Sequence, residues 1–230
     1  MNRPSMFLLD LLWPNRCGCC GLRIAFDRLL CPDCAAALDA IPADYDAWAA
    51  QCTGAVPWDG AAAAFRYDGA AKAGVLAMKD GGRNFGYYAA KRLAECVKCC
   101  MMPELPDLVT WVPITKKRRR MQGYCHAELL GKAVASELNC PARGDLLSEQ
   151  AGSVRQHQIS GKERAEYAGR FHSTGRRLNG MTVLLCDDVL TSGSTMRQCT
   201  ALLRNAGAAR VFIAAATLRM PQTTPAHDEP

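Results

Sequence analysis

The stretch Val183-Leu-Leu-Cys-Asp-Asp-Val-Leu-Thr-Ser-Gly-Ser-Thr195 sets two carboxylates and a small hydroxylic turn between an apolar strand and a helix. Val183 to Leu185 form an apolar run suited to a buried parallel strand, and Thr195 to Leu203 carry apolar spacing suited to a helix. The turn therefore stands at a helix N-terminus, where unpaired backbone N–H groups and the positive end of the helix dipole favour an anion. Ser192, Ser194 and Thr195 add hydroxyl donors, and Gly193 lets the backbone approach closely. The dipole supplies only about 0.3–1 kcal/mol, or roughly 2 when partly buried, so several convergent donors must carry most of the affinity for a phosphate monoester. Asp187 and Asp188 would repel a bare phosphate unless they face hydroxyl groups or a divalent cation. A sugar phosphate meets both conditions.

A second constellation lies near the amino terminus. Cys17 and Cys20 form one C-x-x-C pair, Cys31 and Cys34 another, each beside turn formers such as Gly18, Gly21 and Pro32. Two such turns direct four thiolates at one Zn²⁺ ion, a closed tetrahedral set that leaves no position for catalysis. So few large apolar side chains accompany them that metal must replace a core, and structural zinc contributes an apparent 10–16 kcal/mol in finger peptides (about that order). Cys19 competes with this registry. Cys96 and Cys99 share one face of an expected helix, where buried or half-exposed thiols are favoured over a second metal site; Cys52 carries no assignment.

The elements that position these groups alternate between strand and helix. Strands are expected at 61–67, 108–114, 182–186 and 210–218, and helices at 70–79, 87–100, 124–138 and 195–205. That alternation predicts an α/β fold, a doubly wound and mainly parallel sheet with ligands at the carboxyl ends of its strands. The organisation expected is a zinc-finger module and linker over 1–58, an α/β domain over 59–220, and a polar, proline-bearing disordered tail over 221–230.

The chain has 230 residues and a net charge of +6, five of which fall in Lys116-Lys-Arg-Arg-Arg120. Its basic character is thus local. The strand at 108–114 delivers this run to the same sheet edge as the acid pair, where it reads as a basic loop: an anion grip, a solvated surface or a nucleic-acid contact. Only Trp111 and Tyr124 flank it as stacking platforms for a single strand. The polar stretch from Gln150 to Arg170 reads as a mobile lid, and His157 within it reads as a solvated histidine rather than a general base. No run approaches the roughly 18 apolar residues that span a bilayer. Met6 to Trp13 is interrupted by Asp10 and is followed by no export cleavage site, which predicts a short packed helix. Thirteen cysteines, an odd number, fit a reducing cytoplasm better than a disulfide framework.

The strand, acid pair and Thr191-Ser-Gly-Ser-Thr195 resemble the phosphoribosyl pyrophosphate signature of type I phosphoribosyltransferases. Leu12-Trp-Pro-Asn-Arg-Cys17, Phe65-Arg-Tyr-Asp-Gly69, Met78-Lys-Asp-Gly-Gly82, Trp111-Val-Pro-Ile114, Arg119-Arg-Met-Gln-Gly-Tyr124 and Ile159-Ser-Gly-Lys-Glu-Arg164 follow in the order seen in the ComF family, and nearly the whole chain resembles it. The chain departs at Tyr124-Cys125-His126, where that family usually has Phe-Asn-Gln, and it lacks the second run of paired cysteines present in many members. The resemblance implies that Thr191, Ser192, Gly193, Ser194 and Thr195 hold the ribose 5-phosphate, while Asp187 and Asp188 contact the ribose hydroxyls near Mg²⁺. In that reading one or more of Lys116, Lys117 and Arg118 neutralise departing pyrophosphate, and the charges of Arg155, Lys162 and Arg164 suit a lid that closes over it. The resemblance further implies a role in natural competence, with single-stranded DNA and a competence helicase as partners. Two functions follow: a phosphoribosyltransferase with no legible acceptor, or a non-enzymatic accessory factor that binds single-stranded DNA through its basic loops.

Overall fold

The computed structural model describes residues 14–39, 46, 56–101, 105–150 and 170–220. Of the lid expected over 150–170, residues 151–169, with Arg155, His157, Lys162 and Arg164, lie outside them, as do Met6 to Trp13, Cys52 and the tail from 221.

The described elements in chain order are α1 (Pro32–Asp39), β1 (Gly60–Arg66), α2 (Gly69–Lys79), α3 (Asn84–Met101), β2 (Leu108–Trp111), α4 (Lys116–Gln122), α5 (His126–Leu138), β3 (Leu147–Glu149), β4 (Phe171–Ser173), β5 (Thr182–Leu190), α6 (Ser194–Asn205) and β6 (Arg210–Leu218). Four strands form a parallel sheet in the order β1-β6-β5-β2, and β3 pairs antiparallel with β4 as a separate small sheet.

Period-two alternation sends successive side chains to opposite faces, and here both faces are covered. Leu184 and Cys186 of β5, with Phe212, Ala214 and Ala216 of β6, meet α2, α3 and α5. Val183 and Leu185, with Val211, Ile213 and Ala215, pack under α6 and the β3-β4 hairpin. This double burial explains the continuous apolar runs. At the sheet edge, Trp111 is confined between two glycines: a Cβ on Gly131 would come within 2.9 Å of its ring, and one on Gly144 within 2.4 Å.

Several elements differ from expectation: β2 ends at Trp111 rather than at 114, α3 starts at Asn84 rather than at 87, α5 starts at His126 rather than at 124, and the β3-β4 pair was not expected. β5 does not end at Cys186; its pairing with β6 continues through Asp187 opposite Ala215 to Leu190 opposite Leu218. The basic run is not a loop but the helix α4, opened by the Thr115 hydroxyl, which accepts from the Arg118 N–H at 3.1 Å, and closed by Gly123 at φ 76°. Pro32, taken as a turn former, is the first residue of α1, a position that dispenses with its missing N–H.

The amino-terminal module shares the main core rather than standing apart. Ile24, Leu30 and Leu38 join the cluster containing Phe85 and Leu93. The Asn84 side chain donates to Asn15 Oδ1 at 2.9 Å and to the Arg16 carbonyl at 2.7 Å, while Asn15 Nδ2 donates to the Ala25 and Arg28 carbonyls. At Gly18 two backbones meet closely: a Cβ would lie 2.3 Å from the Phe85 backbone nitrogen. Neither backbone can rotate away, so Gly18→Ala is expected to cost about 1–3 kcal/mol or more, read as a lowered midpoint in urea denaturation.

Candidate functional site

β2 and β5 are neighbours in the sheet, so the chain segments that leave their carboxyl ends converge. Val112, Pro113 and Ile114 beyond β2, Asp187 and Asp188 at the end of β5, Arg118 of α4, Cys125 to Ala127 at the start of α5, Thr195 of α6 and Arg170 line one cavity of about 130 Å³. A surface groove of about 680 Å³ between α3, α5 and the cysteine module is larger. It holds neither the acid pair nor any residue of the 191–195 turn, whereas the smaller cavity holds both acids and, of that turn, Thr195 but not Thr191 to Ser194, so chemistry favours the smaller cavity.

The acid pair is held by the sheet itself. The Asp188 N–H donates to Asp187 Oδ1 at 2.9 Å, the Val189 N–H donates to Asp188 Oδ1 at 3.0 Å, and the Thr217 hydroxyl donates to the Asp188 carbonyl at 3.2 Å. Burial, then the adjacent Asp188 charge, pushes the Asp187 carboxyl well above the ordinary carboxylate range; Arg118 acts in the opposite direction. A cation entering this cavity would relieve that cost.

Beyond β5 the turn bends through Gly193, left-handed at φ 75°, into α6. The N-cap residue Gly193 has no side chain to cap α6; the Ser194 N–H donates to the Ser192 hydroxyl at 3.5 Å, and the Ser192 and Ser194 hydroxyls lie 3.2 Å apart. A helix N-terminus of this kind favours an anion. Ser194 and Thr195 are half-buried, and Thr191 and Ser192 are exposed.

The basic run divides along α4. Arg118 enters the cavity lining, whereas Arg119 pairs with Glu128. Lys116 and Lys117 are exposed on the same helix and do not line the cavity. Trp111, the expected stacking platform, is only 7 % exposed, and the Tyr124 hydroxyl donates to the Met78 and Gly82 carbonyls. Neither ring lies open beside the basic run as a free platform would.

Arg170, Cys125 and His126 also line the cavity, and the sequence did not single them out as ligands. Burial pushes the Cys125 thiol up to about 11, so it stays protonated at neutral pH. Burial lowers the His126 imidazole against the opposing pull of Asp188, and no hydrogen-bond partner reaches its Nε2 among the described residues. The unusual Tyr124-Cys125-His126 sequence was the available signal; Arg170 offered none.

The four amino-terminal thiols come together as expected. Sγ atoms of Cys17, Cys20, Cys31 and Cys34 all lie within 4.8 Å of one another, with Cys20 and Cys31 at 3.8 Å. Tetrahedral Zn–S bonds of about 2.3 Å imply sulfur–sulfur edges of about 3.8 Å, so the four can hold a metal ion such as zinc. Although burial opposes it, N–H groups of Cys20, Cys31 and Cys19 lower the Cys17 thiol to about 6. Cys19 falls outside the cluster, and burial, with the neighbouring Cys17 charge, raises its thiol to about 12. Cys96 and Cys99 belong to no such group among the described residues.

Residues 126–230 match the phosphoribosyl transferase domain family. The chain is 28% identical over 110 residues to the DNA utilization protein YhgH of Salmonella typhimurium, covering 48% of each protein. It is 28% identical over 113 residues to competence protein F of Haemophilus influenzae, covering 48% of this chain and 49% of that one. The match thus spans about half the length of these curated relatives. Among solved structures, adenine phosphoribosyltransferase of Thermoanaerobacter pseudethanolicus aligns at TM-score 0.40 and 19% identity, covering 63% of this chain and 73% of that one. The resemblance to the ComF family is borne out by these relatives, and the fold is the expected one: a type I phosphoribosyltransferase-like parallel α/β sheet with a small cysteine module at its amino terminus. No helix among the described residues is long and apolar enough to cross a membrane.

Proposed function

We propose, for a chain whose residues 126–230 match a phosphoribosyl transferase domain, that it binds phosphoribosyl pyrophosphate with Mg²⁺ and acts in the uptake of single-stranded DNA from within the cytoplasm. One observation carries the ligand assignment: Asp187, Asp188, Arg118 and Thr195 line the same cavity. Its lining joins two carboxylates to the guanidiniums of Arg118 and Arg170, which suits a ligand that carries both hydroxyls and phosphoryl groups.

In this reading the 191–195 turn and the α6 amides hold the 5-phosphate. Asp187 and Asp188 accept from the ribose hydroxyls, and the metal supplies charge neutralisation between the carboxylates and the phosphoryl oxygens. Arg118, with Lys116 and Lys117 near it, offsets negative charge on the pyrophosphate as the C1 bond weakens. Arg155, Lys162 and Arg164 belong to the same proposal. Zinc on Cys17, Cys20, Cys31 and Cys34 is architectural. The competence role comes from the relative named competence protein F, with single-stranded DNA and a helicase as the partners it suggests.

Exposed Lys116, Lys117 and Arg120 favour the second reading, a non-enzymatic DNA-binding factor, but buried Trp111 and the hydrogen-bonded Tyr124 hydroxyl count against a stacking platform there. Calorimetric titration of phosphoribosyl pyrophosphate with Mg²⁺, followed by pyrophosphate release with candidate bases and amines, tests the first reading. Saturable binding with release marks a transferase, and binding without release a sensor. Absent binding, with salt-dependent oligonucleotide capture lost on neutralising 116–120, marks the second.

A further inference from the structure

We infer that Arg170, held by Glu149, is a ligand for the diphosphate end of the substrate; this deepens the proposed function and rests on it. Arg170 immediately precedes β4, and its carbonyl accepts from the Gln150 N–H at 3.0 Å, so the hairpin ladder fixes its backbone. Its Nε donates to Glu149 Oε1 at 2.7 Å, and its guanidinium lies 5.0 Å from the centre of the Phe171 ring.

Glu149 has a side chain only 6 % exposed and engages both of its oxygens. Oε1 takes Arg170, and Oε2 accepts from the Thr115 N–H at 2.8 Å. Thr115 is the residue that caps α4, the helix that carries Arg118. One buried carboxylate therefore holds Arg170, 21 residues downstream, directly, and holds the cap of the helix that carries Arg118 through Thr115, 34 residues upstream.

The mode of attachment matters. Glu149 takes Nε, and among the described residues no hydrogen bond occupies the terminal guanidinium nitrogens, while Arg170 lines the same cavity as the acid pair. A guanidinium presents its paired N–H groups in a planar fork that matches phosphoryl oxygens. The charge of Glu149 sits behind that fork. Arg118 and Arg170 together then supply two cations against a diphosphate, and Glu149 acts as a positioning residue without touching it.

Full-length protein titrated calorimetrically with inorganic pyrophosphate and Mg²⁺, in parallel with ribose 5-phosphate, tests this. Arg170→Met is expected to weaken pyrophosphate about 10- to 100-fold and to leave ribose 5-phosphate unchanged. Glu149→Gln is expected to weaken pyrophosphate by a smaller factor, and most of that loss disappears in the Arg170→Met background, the remainder being the part carried through Thr115 to Arg118; a merely structural role would leave the loss undiminished. Thermal melting identifies any variant that fails to fold, and Arg170→Lys, which keeps charge without the fork, remains informative then through an intermediate affinity. Equal pyrophosphate affinity in wild type and either folded Arg170 variant overturns the inference while leaving the sugar-phosphate reading intact. Arg170-dependent pyrophosphate binding without ribose 5-phosphate binding sinks that reading and leaves Arg170 as an anion ligand. A wild-type protein that binds no pyrophosphate overturns the inference outright.

Discussion

Asp188→Asn should reduce Mg²⁺-dependent binding of phosphoribosyl pyrophosphate by at least about 10- to 100-fold, the loss expected for a charged contact of 1.5–3 kcal/mol. Asp187→Asn should lose binding similarly but carry a second signature. The native structure raises the Asp187 carboxyl through burial and the Asp188 charge, so folding favours its protonated form. A group raised in the folded state stabilises below its unfolded value and ceases to do so as pH climbs through the folded one. The unliganded Asp187→Asn protein should therefore melt higher than wild type at alkaline pH, with the gap narrowing as pH falls toward the ordinary carboxylate range of about 4. Melting curves from pH 4 to 9 check this; a variant less stable than wild type at every pH would refute the account of the buried acid pair.

The second large effect concerns the four thiols. Removing zinc with a strong chelator, or replacing Cys31 with Ser, should unfold the segment from Asn15 to Asp39. The destabilisation should be several kcal/mol, part of the apparent 10–16 found for finger peptides. Because Ile24, Leu30 and Leu38 belong to the same core as Phe85 and Leu93, the loss should lower the melting temperature of the whole chain rather than add a separate transition. Metal analysis with calorimetry of chelated and untreated protein provides the measurement. An unchanged main transition after stoichiometric zinc release would show that the module contributes nothing to that core.

Much of this architecture is written locally. β6 reads from its apolar run to the residue, because a strand buried on both faces needs no partner to be recognised. The acid pair and hydroxylic turn are likewise contiguous. What escaped notice depends on contacts distant in sequence. The carboxylates at 187 and 188 break the apolar pattern, so only pairing with β6 reveals that the strand continues through them. α4 has almost no apolar residue to give periodicity, and a seven-residue helix is specified chiefly by Thr115 and Gly123 at its ends. Arg170 and Glu149 acquire meaning only when the hairpin brings them beside Thr115.

The strand order also bears on what can be cut from this protein. The segment that similarity recognises begins at His126 and contributes β5 and β6, which are the two inner strands; β1 and β2, on either side, come from before it. A fragment starting there would carry two raw flanks of unpaired amides and carbonyls, inviting strand exchange with its own copies. The recognisable half is an interior without borders, completed only by the outer strands that fence it.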